Sequence, residues 1–305
     1  MSGSFGAGRV LLEAGILLQK FTVAFALALR SARVFLIVVG VPLNRPFLVL
    51  TCNGGTDAAG MFSEFAAVLG LLEHHDTWKR LYAGMRVDFK DQGLYFDPAR
   101  GPNWWEYYFE PVVFGSEDGT ATTQISAEQH DLFALRVERT LPRRKSAALV
   151  ARYIHVKPKI EKTVEAFTQA NFADHFVIGV HYRGTDHTEA PRMPYEAVSD
   201  AVDGAIASVE RDRFRIFVAT DEQAFLEHML NRFPQKICFY DSLRSIDGRR
   251  VHDRDEHSYR KGEEAIIDCL TLSRCHRLVR TQSNLGMAAT LFNPSVPQDV
   301  LNTSY

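Results

Sequence analysis

Three short polar clusters follow apolar runs in the second half of the chain, and they hold its best candidates for chemistry. The first contains His181 and Arg183, the second contains Thr220 and Asp221, and the third spans 281–284. An arginine offers a planar fork of donors that suits a phosphate. A turn that opens a helix presents free backbone N–H groups to an anion. Together the clusters predict a site for an anionic ligand, in which Asp221 would orient Arg183.

The clusters meet only if the runs before them are neighbouring parallel strands. Mostly apolar segments predict buried strands over Phe176–His181, Phe214–Ala219, Lys236–Tyr240 and Arg277–Arg280. In a parallel sheet the carboxyl ends of the strands share one edge, where ligands bind. The polar clusters should therefore lie together at that edge.

Helical segments separate the predicted strands. They are expected over Pro194–Glu210, from the capping box that starts at Thr220 to Phe233, over Gly262–His276, and over Asn284–Phe292 behind a Ser283 cap. Strands that alternate with helices predict an α/β class with a parallel, Rossmann-like sheet.

The first half of the chain has a weaker pattern. A buried strand over 47–52, a glycine turn over 53–57 and a helix over 58–74 are expected. A capping box at Ser126 predicts a helix to about Thr140. The basic, proline-containing stretch 141–145 then reads as a break, which divides the chain into residues 1–145 and 146–305.

Each candidate residue has a structural alternative. Taken alone, Thr220 and Ser283 are most simply explained as helix caps. Asp221 has the alternative of a first-turn acid favoured by the helix dipole. His181 has the alternative of a satisfied core histidine, and Arg183 that of a surface charge.

Asp268 lies among apolar residues of a predicted helix, and a carboxylate in such surroundings needs a partner. A nucleobase or ribose donor would serve. Exposure to solvent, or a salt bridge to Lys261 or Arg274, is the alternative.

Composition restricts the class of protein. The 305 residues are 46% hydrophobic and 24% charged, as in ordinary globular proteins, and the net charge is −2. No global positive field exists, so a nucleic-acid partner is not expected. The four cysteines form no C-x-x-C pair, which argues against a zinc ribbon and a disulfide-rich secreted scaffold.

The apolar N-terminal region predicts a packed helix followed by a core strand. Its longest uninterrupted runs, Phe21–Leu29 and Val34–Val41, fall short of the roughly 18–20 apolar residues that a membrane span needs. An alternative is an interfacial helix over 9–30 that makes peripheral membrane contact. Without a clear secretion signal, a cytoplasmic location is expected.

The polar clusters resemble the motifs of the GT-B fucosyltransferase superfamily, which includes the α-1,6-fucosyltransferases of nodulation factors and N-glycan cores and the protein O-fucosyltransferases. The resemblance covers about residues 175–293 and is weak before them, where it is limited to the glycine turn and the helix after it. The matching motifs read His181-Tyr-Arg183-Gly-Thr185-Asp186, Ala219-Thr220-Asp221 and Asp268-x₁₂-Thr281-x-Ser283.

The resemblance implies a GT-B fold of two Rossmann-like domains that face a cleft. Residues 1–145 would form the acceptor side and residues 146–305 would bind the GDP-sugar, most simply GDP-fucose. The implied reaction is an inverting transfer to a hydroxyl of a glycan or glycoprotein acceptor, with no metal and no cofactor besides the donor substrate. The rival hypotheses are a transferase that uses another GDP-sugar, and a non-catalytic protein of the same fold that binds a glycan or a partner.

The resemblance also implies roles for individual donor-binding residues. Arg183 would hold the donor β-phosphate and stabilise the charge that develops on departing GDP. His181 and Asp268 would contact the guanine, and Thr281 and Ser283 would form the phosphate-binding turn.

Two positions differ from the family pattern. Glu189 matches the proposed general base, but its spacer is about two residues shorter, and a surface carboxylate is the alternative. Gly184 stands where the family has a second arginine, so donor affinity is expected to be lower, or Lys261 to supply the charge.

An aromatic cluster after a proline–glycine turn contains Trp104 and Trp105. These rings would suit sugar stacking on the acceptor side. The alternative is packing in the core, because large aromatic side chains mostly pack.

Overall fold

A computed structural model describes most of the chain. The described residues are 45–52, 59–90, 92–126, 142–184, 192–207, 209, 213–246, 248 and 257–302. The predictions for the N-terminal region, for the glycine turn at 53–57 and for Glu189 lie outside these residues.

Nine strands and seven α-helices are present in the described part of the chain. The strands are β1 (Phe47–Thr51), β2 (Gly84–Val87), β3 (Val113–Gly115), β4 (Thr122–Ser126), β5 (Phe176–Tyr182), β6 (Phe214–Thr220), β7 (Ile237–Cys238), β8 (Arg277–Arg280) and β9 (Gln298–Val300). The helices are α1 (Met61–Trp78), α2 (Arg143–Tyr153), α3 (Pro158–Phe172), α4 (Tyr195–Ile206), α5 (Gln223–Arg232), α6 (Ser258–Ser273) and α7 (Asn284–Phe292).

The strands form two sheets. One has the order β3-β2-β1-β4, in which β1 pairs in parallel with β2 and β4, and β3 is antiparallel to β2. The other has the order β7-β6-β5-β8-β9, and all of its pairs are parallel. The predicted α/β class and the parallel sheet of the second half are confirmed.

The second half follows the sequence pattern closely because its signals are strong. Strand β5 is buried along almost its whole length, as a continuous apolar run requires. Strand β8 and helix α7 have the predicted bounds. Ser283 caps α7 by accepting a hydrogen bond from the Gly286 amide at 3.0 Å.

The first half contains a strand that was not predicted. Strand β4 ends at Ser126, and its residues pair in parallel along the whole of β1. The helix predicted after Ser126 lies outside the described residues, so it stays a prediction.

The basic stretch read as a break contains the start of a helix. Helix α2 buries Ala147, Leu149 and Val150 and contacts both α1 and α7. The predicted boundary after residue 145 falls within its first turn, and the division into two domains stays a prediction. A single cluster of buried apolar side chains runs through both halves, where Phe65 of α1 and Phe292 of α7 lie 5.9 Å apart.

No helix in the described ranges combines the length and apolar character needed to cross a membrane.

Candidate functional site

The three polar clusters meet at one edge of the second sheet. In the parallel register His181 lies opposite Ala219 on one side and Arg280 on the other, so β5, β6 and β8 reach the edge together. The predicted convergence of the clusters after these strands is confirmed.

Arg183 is held at this edge by its backbone and by its side chain. Its amide donates to Thr281 Oγ1 at 2.9 Å, and its Nη1 lies 3.0 Å from Asp221 Oδ2. Asp221 Oδ1 also accepts a hydrogen bond from the Gly184 amide at 3.0 Å. The Arg183 side chain is 22% exposed, so it is neither a mobile surface charge nor a core residue. The carboxylate therefore orients a guanidinium that a ligand can still reach.

His181 of β5 is hydrogen-bonded to residues at or just after the ends of the two neighbouring strands, β6 and β8. Its Nδ1 lies 3.1 Å from the Ala219 carbonyl oxygen, and its Nε2 lies 2.7 Å from Ser283 Oγ. Burial lowers the pKa of His181 to about 4, so the ring is neutral at physiological pH. A neutral imidazole carries one proton, and only a donor can face a carbonyl oxygen, so Nδ1 donates and Nε2 accepts from the Ser283 hydroxyl.

These bonds give His181 a positioning role, because they fix the strand end that carries Arg183. Both ring nitrogens have protein partners, as the core-histidine alternative requires. Its predicted contact with guanine stays a prediction.

Thr281 and Ser283 shape the turn between β8 and α7. Thr281 is 1% exposed, and its hydroxyl accepts the Arg183 amide bond. Ser283 donates to His181 and accepts from the Gly286 amide, so its hydroxyl has a structural use on both sides. Any contact that this turn makes with a phosphate would therefore use the amides and the positive dipole of the α7 amino terminus.

Asp268 lies on the inner face of α6 and is 6% exposed, which excludes the solvent-exposed alternative. Its Oδ2 accepts from Ser242 Oγ at 3.2 Å, whereas its Oδ1 is buried and has no hydrogen-bond partner among the described residues. Arg274 donates to Thr168 instead, so it is not the salt-bridge partner. Burial raises the pKa of Asp268 to about 7, and the nearby charge of Arg244 opposes this shift.

Glu222 and Arg192 belong to the same edge. Glu222 is the last residue of the polar cluster 220–222 and was predicted to lie at this edge without a role, whereas Arg192 was missed. Glu222 is 8% exposed, and its Oε1 lies 2.5 Å from Arg192 Nη2. The distance along the chain hid Arg192, which reaches Glu222 from thirty residues earlier.

Trp104 and Trp105 belong to the core, and the prediction that they form an acceptor platform is corrected here. They are 1% and 0% exposed and open a short 3₁₀ helix behind an Asn103 cap. Trp105 stacks on Phe109 with ring centroids 4.3 Å apart, and Trp104 packs on Phe89 at 4.8 Å. Rings covered in this way present no face to a sugar.

Within the described residues, no group of three or more histidine, cysteine, aspartate or glutamate side chains is arranged to hold a metal ion. The polar groups at the edge are instead an arginine held by a carboxylate, a helix amino terminus and a buried acid. This arrangement suits a ligand with phosphate groups and hydrogen-bond donors.

Comparison with known proteins finds no matching family model. In sequence, the chain is 26% identical to nodulation protein Z of Sinorhizobium fredii over 139 residues. That alignment spans 42% of this chain and 43% of the relative, so less than half of the relative's length is matched.

Solved structures show the same fold over most of the chain. Fucosyltransferase NodZ from Bradyrhizobium superposes with a TM-score of 0.58 at 16% identity, covering 86% of this chain and 98% of that one. A NodZ α-1,6-fucosyltransferase soaked with GDP-fucose gives a TM-score of 0.57 at 17% identity, covering 82% of this chain and 93% of that one. The fold is therefore the GT-B type of the NodZ fucosyltransferases, and the GT-B fold that the resemblance implied is confirmed.

Proposed function

Because this chain shares its fold with the NodZ fucosyltransferases, we propose that it transfers fucose from GDP-fucose to a hydroxyl of a glycan or glycoprotein acceptor. The reaction would be inverting, in that the hydroxyl attacks the anomeric carbon from the face opposite to GDP. The C–O bond to the acceptor forms as the bond to the β-phosphate oxygen breaks, and the acceptor proton passes to a base. No metal takes part in this proposal.

The observation that carries the proposal is the geometry of Arg183. Asp221 and Thr281 hold this arginine at the carboxyl edge of a parallel sheet, where ligands of such sheets bind. A guanidinium fixed there would bind the β-phosphate and stabilise the negative charge that grows on GDP as the sugar leaves. Because Asp221 sets its orientation before the donor arrives, little reorganisation is needed during the reaction.

Asp268 is the proposed partner of the guanine base. A guanine presents N–H donors on its pairing edge, and the buried Oδ1 of Asp268 lacks a donor in the described structure. Ser242 holds the other carboxylate oxygen and so fixes the direction of the free one. A base that donates to Asp268 would also favour its ionised form, because hydrogen bonds to a carboxylate stabilise the charge.

Glu189 is the proposed general base. It follows Arg183 by six residues in the sequence and would take the proton of the attacking hydroxyl. Its position lies outside the described residues, so this assignment comes from the motif resemblance alone.

The rival is a non-catalytic protein of the same fold that binds a glycan or a partner. Nucleotide binding separates the two hypotheses. The purified chain would be titrated by calorimetry with GDP, GDP-fucose, GDP-mannose and UDP-sugars. Selective binding of GDP-fucose supports the proposed donor. Equal binding of the GDP-sugars supports a GDP-binding site but does not support fucose as the transferred sugar. Binding of no nucleotide would reject the proposed function in favour of the rival.

Turnover is expected to be independent of divalent metals, because Arg183 supplies the charge that a metal would otherwise supply. GDP release from GDP-fucose would be followed with the best acceptor from a glycan panel, in EDTA and in added Mg²⁺ or Mn²⁺. The rates in EDTA and in added metal should agree within about twofold, since no metal stabilises the proposed transition state. A rate that collapses in EDTA and returns with metal would contradict this part of the proposal.

The variant Asp268→Asn is expected to weaken GDP binding at least about tenfold, because a neutral amide oxygen accepts a hydrogen bond more weakly than a carboxylate oxygen does. It should also change the pH dependence of stability. The native pKa of about 7 lies above the ordinary 3.8, so the native state keeps a proton that the unfolded state has lost. This stabilisation is fully present below the unfolded pKa and is lost as pH rises through about 7.

The measurement is the thermal midpoint of both proteins between about pH 5 and pH 8, since that interval spans most of the titration of Asp268. The thermal midpoint of Asp268→Asn should increase relative to that of the wild type as pH rises. The exposed Glu227→Gln variant on α5 is the control and should follow the wild type. Parallel pH profiles for Asp268→Asn and the wild type would show that Asp268 is ionised throughout.

A further inference from the structure

We propose that Arg192, which is held by Glu222 and Tyr182, binds the diphosphate of the donor with a guanidinium that residue 184 does not provide. This inference rests on the proposed function and names a further donor-binding residue for it. Three observations carry it: the space at Gly184, the burial of Glu222, and the contacts of Arg192.

A side chain at residue 184 would have to displace the Glu222 carboxylate. A Cβ placed there would lie 2.1 Å from Glu222 Oε2 and 2.7 Å from Tyr182 Cε1. The backbone cannot easily retreat, because the Gly184 amide is bonded to Asp221. The carboxylate of Glu222 therefore occupies the space that a cationic side chain at 184 would need.

Glu222 requires a cation of its own. Its side chain is buried at the edge of the sheet, and an unpaired carboxylate in such a position is strongly unfavourable. Arg192 provides the partner, with its Nη2 2.5 Å from Glu222 Oε1. Glu222 thus occupies the space beside residue 184 and forms an ion pair with an arginine from a different segment.

Arg192 lies close to residue 184. Its Nε donates to the Tyr182 hydroxyl at 3.3 Å, and its Nη2 lies 3.2 Å from the Tyr195 hydroxyl. Glu222 links the two positions, because its Oε1 lies 2.5 Å from Arg192 Nη2 and its Oε2 lies 2.1 Å from where a Cβ at residue 184 would be. The Arg192 guanidinium therefore lies close to the space that a side chain at 184 would occupy.

Accessibility distinguishes Arg192 from the other candidate cation. Lys261, the other candidate, is 5% exposed, whereas the Arg192 side chain is 57% exposed and open to a ligand. A guanidinium has more N–H donors than its contacts here use, and those that remain suit phosphate oxygens.

The test compares ligands that differ only in phosphate. Wild-type protein and Arg192→Ala would be titrated with GDP, GMP and guanosine, with displacement titrations for the weaker ligands. We expect Arg192→Ala to bind GDP at least about tenfold more weakly and guanosine unchanged, because only the phosphates contact Arg192. GMP should show an intermediate loss.

The control is Arg232→Ala. Arg232 is also an exposed arginine in an ion pair, with Asp203, but it lies at the far end of α5. This variant should bind all three ligands like the wild type. If Arg192→Ala does not fold, Arg192→Lys takes its place, because it keeps a cation for Glu222. This variant should bind GDP more weakly than the wild type, by a smaller factor than expected for alanine, and should bind guanosine unchanged.

Each outcome bears on a separate statement. Equal losses for GDP and guanosine would show that Arg192 only maintains the structure, and no loss for either would show that it does not bind the donor. Both results overturn the inference and leave the proposed function standing. A wild-type protein that binds none of the three ligands would reject the proposed function, and the inference with it.

Discussion

Arg183→Ala is expected to lower kcat/KM for transfer from GDP-fucose by about 10³-fold or more, the effect of removing a fixed group that stabilises transition-state charge. The fold should remain intact, because the Arg183 side chain lies beyond the buried part of β5 and is partly exposed. Steady-state kinetics with GDP-fucose and the best available acceptor measure the loss. Thermal unfolding measures the stability.

Two further variants separate charge from geometry. Arg183→Lys keeps the charge but loses the fork that matches a phosphate, so it should retain part of the activity. Asp221→Asn keeps the shape of the orienting side chain and removes its charge, so Arg183 is held less firmly. We expect kcat to fall clearly, whereas the thermal midpoint should change little. If Arg183→Ala retains kcat/KM within about tenfold, a loss of only ~1.4 kcal/mol, the role given to Arg183 is wrong.

Trp105→Ala is expected to destabilise the protein by about 3–5 kcal/mol, the usual cost of deleting a large aromatic side chain from a core. Trp105 is fully buried, stacks on Phe109 and packs edge-on against Phe89. Its indole N–H also donates to the Glu110 carbonyl oxygen at 3.3 Å. Chemical denaturation of the variant and of the wild type gives the difference in free energy of unfolding.

Trp105→Phe distinguishes packing from sugar binding. A phenyl ring keeps much of the packing, so this variant should recover most of the stability and should turn over acceptor like the wild type. An alanine variant as stable as the wild type, with acceptor turnover lost and donor binding kept, would instead restore the acceptor-platform hypothesis.

The second half of the chain was readable from sequence because its local and long-range signals agree. Strands β5 and β6 are mostly apolar, and Ser283 is a cap at the start of α7. Their alternation with helices fixed the parallel order, so the edge that joins Arg183, Asp221 and Thr281 followed from general rules of such sheets.

The first half was readable only in part because its decisive contacts are long-range. Strand β4 has the mostly polar sequence TTQIS, and its pairing with β1 makes it a strand. Helix α2 begins with a basic tripeptide, but its later apolar residues are buried against α1 and α7. No local pattern contains these partners.

Sequence by itself determined the class of fold, and it predicted both the edge at which a ligand would bind and Arg183 as the central cation of that edge. Those conclusions depend on periodicity, on the position of polar residues after strands, and on the chemistry of side chains.

Tertiary structure alone decided which side chains already have partners. In the folded chain His181 is hydrogen-bonded to Ser283, and Arg192 forms an ion pair with Glu222. One oxygen of Asp268 has no donor among the described residues, and Trp104 and Trp105 are buried. The physical reason is that burial and hydrogen bonding are satisfied between residues far apart in the chain, so the folded arrangement, and not the local sequence, sets which groups remain available to a ligand.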